Sequence, residues 1–479
     1  MQNIQKILVL ILILVIGVSA IPGAAQDQED EFQLYLPILM RNYPHHPIFG
    51  VEITKNGFMD EAAAAGNHWV RYNGLLWSEV QPVEEPIFNW NSTLEADLIT
   101  ASEAGMEVIL VVRSTPTWTQ KYNGYFCGPP ADLNAFASFM SNVVKRYSSP
   151  PFNVKYYEIW NEPDVDPYEH YTSITSQYGC WGNAKDAYYG GGYYAEMLKV
   201  VYPAMKAANP SVNVVLGGLL LDCDPRSFGD GYCPTEERTK APKFFEGILK
   251  NEGGAFFDVV SFHGYPTFQK DVNPILNEIN FETWKVAGGV VAGKLDYINS
   301  LMSLYGINKP IFHTEGGLIL PNNSPSLPST PEFETAKANY LPWLFARNWE
   351  NGIQATNWFT LNYPGFRMSS LLDINGERLP AYNSFALMTE KLGKAEFVSY
   401  TILGVVLPEP NYDPNEIHRF EFKTNDMRIW LLFGTKDNNS RIIAVPSKFI
   451  QAYDIVGSPV IPVGESITFD RPIYIEMDK

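Results

Sequence analysis

Residues 156–164 read Tyr-Tyr-Glu-Ile-Trp-Asn-Glu-Pro-Asp. The run opens as apolar, strand-forming sequence and stops at Pro163, a residue that strand interiors exclude. Two glutamates, Glu158 and Glu162, stand four positions apart on it. Side chains along a strand alternate between faces, so positions four apart share one face. Depth separates the two. Glu158 lies well inside the run, where a buried charge calls for an arginine or lysine partner. Glu162 lies at the end, beside Asn161, where solvent and ligand can reach it. Trp160 is expected to face the other way and to pack.

The same pattern recurs along the chain. Short apolar runs occur at 48–53, 68–73, 107–112, 154–160, 212–218, 257–263, 310–315 and 352–359. Helix-period stretches fall between them, at 60–66, 132–147, 193–208, 294–305 and 334–349. Eight strands alternating with helices predict a parallel sheet with helical crossovers. Over this length they fit a closed (β/α)8 barrel, a TIM barrel. A doubly wound open sheet lacks support, since no glycine-rich phosphate turn follows the first run. After about residue 395 helical patterns vanish. Short runs separated by Asn, Asp, Gly and Pro predict a small antiparallel β-sandwich. The expected organisation is a signal peptide over 1–25, a linker over 26–46, the barrel over 47–393 and the sandwich over 394–479.

Active sites of such barrels form at the C-terminal ends of the strands. The fourth run ends in Asn161-Glu162, the sixth in His263-Gly264-Tyr265, the seventh in Glu315 and the eighth in Asn357-Trp358. The second carries Arg71, and the turn after the third carries Trp118. Two carboxylates from strands four and seven would face each other across one mouth. Acetal hydrolysis needs such a pair: one group protonates the leaving oxygen, and the other attacks the anomeric carbon or activates water. A lone glutamate at a strand end is more often a structural ion pair. His263 reads equally as a core histidine and as a sugar contact. Trp118 taken alone reads more often as packing than as a platform.

EIWNEPD (158–164) and IFHTEGG (311–317) resemble the acid/base and nucleophile motifs of clan A retaining glycoside hydrolases. WSEVQPVEEPIFNW (77–90) resembles the loop after strand two in families 39 and 42, and STPTW (114–118) resembles a family 39 turn. DINGERLPAYNSFALM (373–388) resembles the tail of such barrels. The resemblance covers about 48–392 and is closest in its motifs to family 39. It implies Glu162 as acid/base and Glu315 as nucleophile. It also implies Asn161 on the sugar 2-hydroxyl, Arg71 and Tyr265 supporting the nucleophile, and Trp358 as the aromatic floor of the sugar site. Gly316-Gly317 depart from the pattern, where a family 39 β-xylosidase would be expected to carry an aromatic or polar residue.

The totals set the context. The chain has 479 residues with a formal net charge of −18. That balance argues against a nucleic-acid partner, which needs a basic footprint. Lys6, the apolar run Ile7–Val18 and the small residues after it read as an export signal. At roughly 12 residues the run is short for a membrane span, and an uncleaved anchor is its alternative reading. Four cysteines in an exported chain imply two disulfides, Cys223–Cys233 and Cys127–Cys180. No CxxC or HxxxH spacing points to a metal, and no cofactor is expected. The sequence thus points to a secreted retaining glycosidase acting on a β-linked carbohydrate. A carbohydrate-binding surface protein on the same barrel is the alternative. The sugar, the linkage and the oligomeric state are not encoded in these patterns.

Overall fold

The computed structural model describes residues 46–165, 180–182, 188, 190–221, 223–227, 242–281, 283–321, 329–404, 416–435 and 440–479. The expected signal peptide, nearly all of the linker, and Cys233 lie outside the described residues. Among the described residues, no helix is long and apolar enough to cross a membrane.

Eight strands form one parallel sheet. They are β1 (Phe49–Ile53), β2 (Trp69–Leu76), β3 (Glu107–Arg113), β4 (Tyr156–Asn161), β5 (Asn213–Gly218), β6 (Val260–Gly264), β7 (Ile311–Gly316) and β8 (Ala355–Trp358). Their spatial order is β5-β4-β3-β2-β1-β8-β7-β6. Bridges between Val215 and Val259 and between Leu219 and Phe262 join the two ends, so the sheet closes as a barrel. All eight apolar runs became strands. Parallel strands are buried on both faces, which explains near-continuous runs such as Glu107–Arg113. Trp69, Ile109, Val215, Val259, Phe312 and Ala355 pack as a separate cluster inside the barrel. The buried polar layer begins above this plug.

The helices that period signals predicted are present. The helix Leu133–Tyr147 starts at Asp132, whose carboxylate accepts from the Asn134 and Ala135 amides. The helix Pro331–Glu350 starts at Thr330, with proline in its first turn. The helix Ser92–Glu103 is not among the expected ones, because its periodic face is narrow. Its buried positions are Leu94, Asp97, Leu98 and Ala101, a narrow face that includes a charge. Asp97 turns inward because it accepts the Gly57 amide and the Tyr72 hydroxyl.

The last barrel helix, Pro380–Leu392, is followed directly by a β-rich region. It is built from β9 (Glu396–Leu403), β10 (Ile417–Lys423), β11 (Met427–Gly434), β12 (Arg441–Ala444), β13 (Phe449–Asp454), β14 (Ser466–Phe469) and β15 (Ile473–Asp478). Five strands pair antiparallel in the order β13-β15-β11-β10-β9, and β12 pairs with β14. One face of the larger sheet packs on the helix Pro331–Glu350. Trp343 meets Phe420 at 5.6 Å and Phe433 at 5.3 Å, and Trp349 meets Phe422 at 5.5 Å. Leu432 and Ile475, from the sheet's other residues, share a cluster with Ile467 and Phe469 of β14. The fold is a TIM barrel followed by a β-sandwich.

Candidate active site

Arg71 organises the mouth of the barrel. It is fully buried on β2. Its Nε and Nη2 donate to the two oxygens of Glu158 at 3.1 and 2.6 Å, a bidentate pair. Nη2 also donates to Asn161 Oδ1 at 2.6 Å. Nη1 donates to Glu315 Oε1 at 2.5 Å and to Glu52. Glu158 therefore has the partner that its depth demanded, and it also accepts the Gly218 amide at 3.0 Å. One guanidinium fixes residues from β1, β4 and β7 relative to each other.

Two breaks in strand geometry deliver the glutamates. On β4, strict alternation would place Trp160 inside with Glu158. Instead Trp160 has a left-handed backbone, φ 73°, and Glu162 has φ 46°. Non-glycine residues in this region are uncommon and concentrate at functional sites. The turn sends the Trp160 ring to the helix layer, against Phe136 and Trp181, with its Nε1 donating to Cys127 O at 2.8 Å. Asn161 and Glu162 both turn inward. On β7, the pairing register shifts on both sides, near His263 and between His313 and Gly316. His313 then faces the helices, stacked on Phe262 and bonded to Asn348, while Glu315 points into the barrel. Gly316 fits there because a Cβ would lie 2.8 Å from the His313 ring.

Glu315 accepts at both oxygens: Arg71 donates to Oε1, and the Tyr265 hydroxyl donates to Oε2. Burial, then the Glu315 charge, pushes the Tyr265 phenol well above its ordinary range, so it stays a donor. Glu162 Oε1 lies 2.8 Å from His263 Nδ1, and Glu315 Oε2 lies 3.4 Å from the same nitrogen. Burial lowers the His263 imidazole to about 4, so the ring is neutral near neutral pH. Its Nε2 is buried without a hydrogen-bond partner. An unpartnered lone pair is less costly there than an unpartnered N–H, which assigns the proton to Nδ1. His263 thus donates to Glu162. Lys294 fixes the His263 carbonyl from behind at 2.8 Å.

Glu162, His263 and Glu315 offer donor atoms that all lie within 4.8 Å of one another. The sequence showed no histidine and carboxylate cluster of this kind, because its members come from three strands. The group could hold a divalent ion. Against that use, the Arg71 guanidinium already occupies Glu315 Oε1, and a metal would face that positive charge.

Asn161, Glu162, Glu315, Arg71, His263 and Tyr265 therefore converge. Two expected residues do not. Trp358 is fully buried and points at the helix layer, 6.3 Å from Tyr340, with its Nε1 on Ser369 O. It offers no surface to a sugar. Phe359, the next residue, takes the inward position and meets Tyr265 edge to face at 6.1 Å. Strand parity explains the difference. Thr356 faces helix Pro331–Glu350 through Asn348, so Trp358 does too, and the odd positions face inward. Trp118 is half-buried, edge-on to Trp77 at 5.6 Å. It lines an open cleft of about 640 Å³ with Glu84, Gln120, Asn134 and Tyr193; neither Glu162 nor Glu315 is among the described residues of its walls.

One buried charge of this cluster, Glu52, escaped the sequence reading. Glu52 sits on β1, and its only signal is a charge inside an apolar run. Arg113 ends β3 and donates to Asn73 at 2.7 Å; burial lowers it to about 10. The expected Cys127–Cys180 disulfide is formed, joining the loop after β3 to the loop after β4. Cys223 is disulfide-bonded.

No protein-family description matches the sequence, and no curated protein does. Solved structures do match. A family 39 glycoside hydrolase from Bacteroides cellulosilyticus WH2 superposes with a TM-score of 0.63 at 17% identity, over 91% of this chain and 81% of that one. A family 51 α-L-arabinofuranosidase from Bifidobacterium longum gives 0.57 at 14% identity, over 91% and 97%. A GH30 endoxylanase from Clostridium papyrosolvens C71 gives 0.51 at 11% identity, over 92% and 97%. The fold of this chain is the fold these glycoside hydrolases share.

Proposed function

We propose that the chain is a secreted retaining glycosidase that cleaves β-glycosidic bonds of oligo- or polysaccharides. The observation that carries this reading is the carboxylate pair, with oxygens of Glu162 and Glu315 within 4.8 Å of each other. Retaining enzymes hold their carboxyl groups about 5–5.5 Å apart, whereas inverting enzymes leave room for a water. The surroundings differ in the required sense. Glu315 accepts two hydrogen bonds and has a lone pair for the anomeric carbon. Glu162 stands beside a neutral imidazole and carries the proton for the leaving oxygen. After the glycosyl-enzyme forms, Glu162 takes a proton from water and the water releases the sugar. Asn161, held by Arg71, is placed for the 2-hydroxyl. The Cys127–Cys180 disulfide fits an oxidising compartment.

The test is a screen of aryl glycosides and plant or microbial polysaccharides against wild type, Glu315→Ala and Glu162→Ala. Glu315→Ala is expected to fall to background. Glu162→Ala is expected to lose about 10²–10⁴-fold on substrates with poor leaving groups, and less on activated ones. Inversion of anomeric configuration, read by NMR, would sink the double-displacement mechanism. A second reading, a metal-dependent hydrolase, rests on the Glu162–His263–Glu315 cluster. Activity lost to a chelator and restored by zinc would favour it. Glycan binding with no turnover on the whole panel would favour the non-catalytic alternative.

A further inference from the structure

Three carboxyl groups share the Arg71 guanidinium, and their hydrogen bonding is unequal. Glu158 accepts three N–H groups, two from Arg71 and one from Gly218. Glu315 accepts from Arg71 and from Tyr265. Glu52 accepts one, from Arg71 Nη1 to its Oε2, and its Oε1 has no partner. Glu52 is fully buried, whereas Glu315 lies at the mouth with 5% of its surface exposed. The backbone around Glu52 is rigid: its carbonyl accepts from the Thr360 hydroxyl at 2.7 Å and the Leu361 amide at 2.9 Å.

The charges facing this cluster come from every neighbouring strand. Arg71 is on β2, Arg113 on β3, Glu158 on β4 with Glu162 just after it, His263 and Tyr265 at β6, and Glu315 on β7, while Lys294 lies behind His263 on its carbonyl. His263 is neutral, and Tyr265 remains a phenol. With Glu162 carrying the proton that the proposed reaction assigns to it, two arginines then oppose three inner carboxyls, Glu52, Glu158 and Glu315. With one of the three protonated, the inner charges balance. An ionised carboxylate needs donors, and Glu52 has the fewest of the three.

We propose that Glu52 is a positioning residue of the glycosidase reaction proposed above, a neutral carboxyl that anchors Arg71 Nη1 beneath Glu315 without adding a negative charge next to the nucleophile. Burial raises its carboxyl well above the usual range, and Glu315 and Glu158 add to this against the pull of Arg71. An ionised Glu52 would compete with Glu315 for the same Nη1 and repel it. A protonated Glu52 keeps the geometry and leaves the charge of Arg71 to Glu158 and Glu315. Glu52 does not touch the substrate; it acts through Arg71.

The test compares Glu52→Ala, Glu52→Gln and Glu52→Asp with wild type on the best aryl glycoside. Glu52→Ala is expected to lower kcat about 10-fold or more, with KM within about twofold, because the misplacement is felt at the nucleophile and not in binding. Glu52→Gln, neutral and of the same shape, is expected to rescue most of that loss; Glu52→Asp, too short to reach Nη1, is not. Should Glu52→Ala fail to fold, the Gln and Asp variants carry the same comparison. If Gln is as impaired as Ala, or moves the acid limb of kcat/KM down by about one pH unit, Glu52 is ionised and the proposal fails. The second readout needs no substrate. In the infrared difference spectrum of Glu52→Gln against wild type near neutral pH, the C=O stretch of a protonated carboxyl is expected to disappear. Loss of a carboxylate band pair instead overturns the proposal. If no glycoside is turned over, the glycosidase reading fails, and the spectrum still decides the state of Glu52.

Discussion

Tyr265→Phe removes one hydroxyl, and with it one of the two hydrogen bonds that Glu315 accepts. A hydrogen bond to a charged group contributes about 1.5–3 kcal/mol, so kcat is expected to fall roughly 10- to 100-fold with little change in melting temperature. An unchanged kcat would remove Tyr265 from the mechanism. The two buried histidines, His263 and His313, set a pH dependence of stability. Burial holds His263 at about 4 and His313 at about 3, below the ordinary 6.5. In the unfolded chain both bind protons as pH falls through 6.5, while in the folded chain they stay neutral. Stability is therefore complete above about pH 6.5 and declines as pH falls toward 4, by about 1.4 kcal/mol per pH unit for each histidine. A melting temperature that stays flat between pH 6.5 and 5 would contradict this. At this scale the sequence was legible wherever a polar residue ends a strand, as with Asn161, Glu162, Tyr265 and Glu315, which the structure brings together. It was not legible for Glu52, whose role depends on three side chains from other strands. Trp358 was expected to face inward and faces the helices instead, because an aromatic pair does not reveal which ring strand parity turns inward.

At the scale of elements, all eight strands were readable, since a strand buried on both faces must be apolar along its length. The helix Ser92–Glu103 was not, because its buried face contains Asp97 and Ala101 rather than a stripe of large side chains. Nor were the left-handed turns at Trp160 and Glu162 or the register shifts at β7, since backbone dihedrals leave no compositional trace. These local departures decide that Asn161 and Glu162 face the same way. The outer side of β4 is secured by the loop that the Cys127–Cys180 bridge closes. The bridge spans 53 positions of sequence, a separation for which chain entropy predicts about 4 kcal/mol of stabilisation. Replacing both cysteines by alanine is expected to lower the melting temperature by several degrees. It should also raise KM or lower kcat, because the Cys127 carbonyl that anchors Trp160 moves with the loop. A double variant with unchanged melting would show that packing around Trp160 and Trp181 suffices.

At the scale of the whole molecule, the barrel and the sandwich share one apolar core. Phe420, Phe422, Ile429, Leu431 and Phe433 of the second sheet belong to the same buried cluster as the barrel's helix-facing residues. Removing residues 394–479 would expose Trp343 and Trp349 together, and the truncated chain is expected to be insoluble or to melt far below the full chain. Trp343→Ala in the full chain should destabilise by about 3–5 kcal/mol, measured by denaturant titration. A soluble, active 1–393 fragment would refute the shared core. The seam has a consequence for how the molecule meets heat. Helix Pro331–Glu350 follows the strand that carries Glu315 and lies between the barrel and the sheet. Loosening the sheet is therefore expected to loosen the strand of Glu315. The temperature at which turnover fails would then be set at β10 and β11, outside the barrel. Substitutions there should shift the upper working limit of the protein while leaving its rate in the cold unchanged.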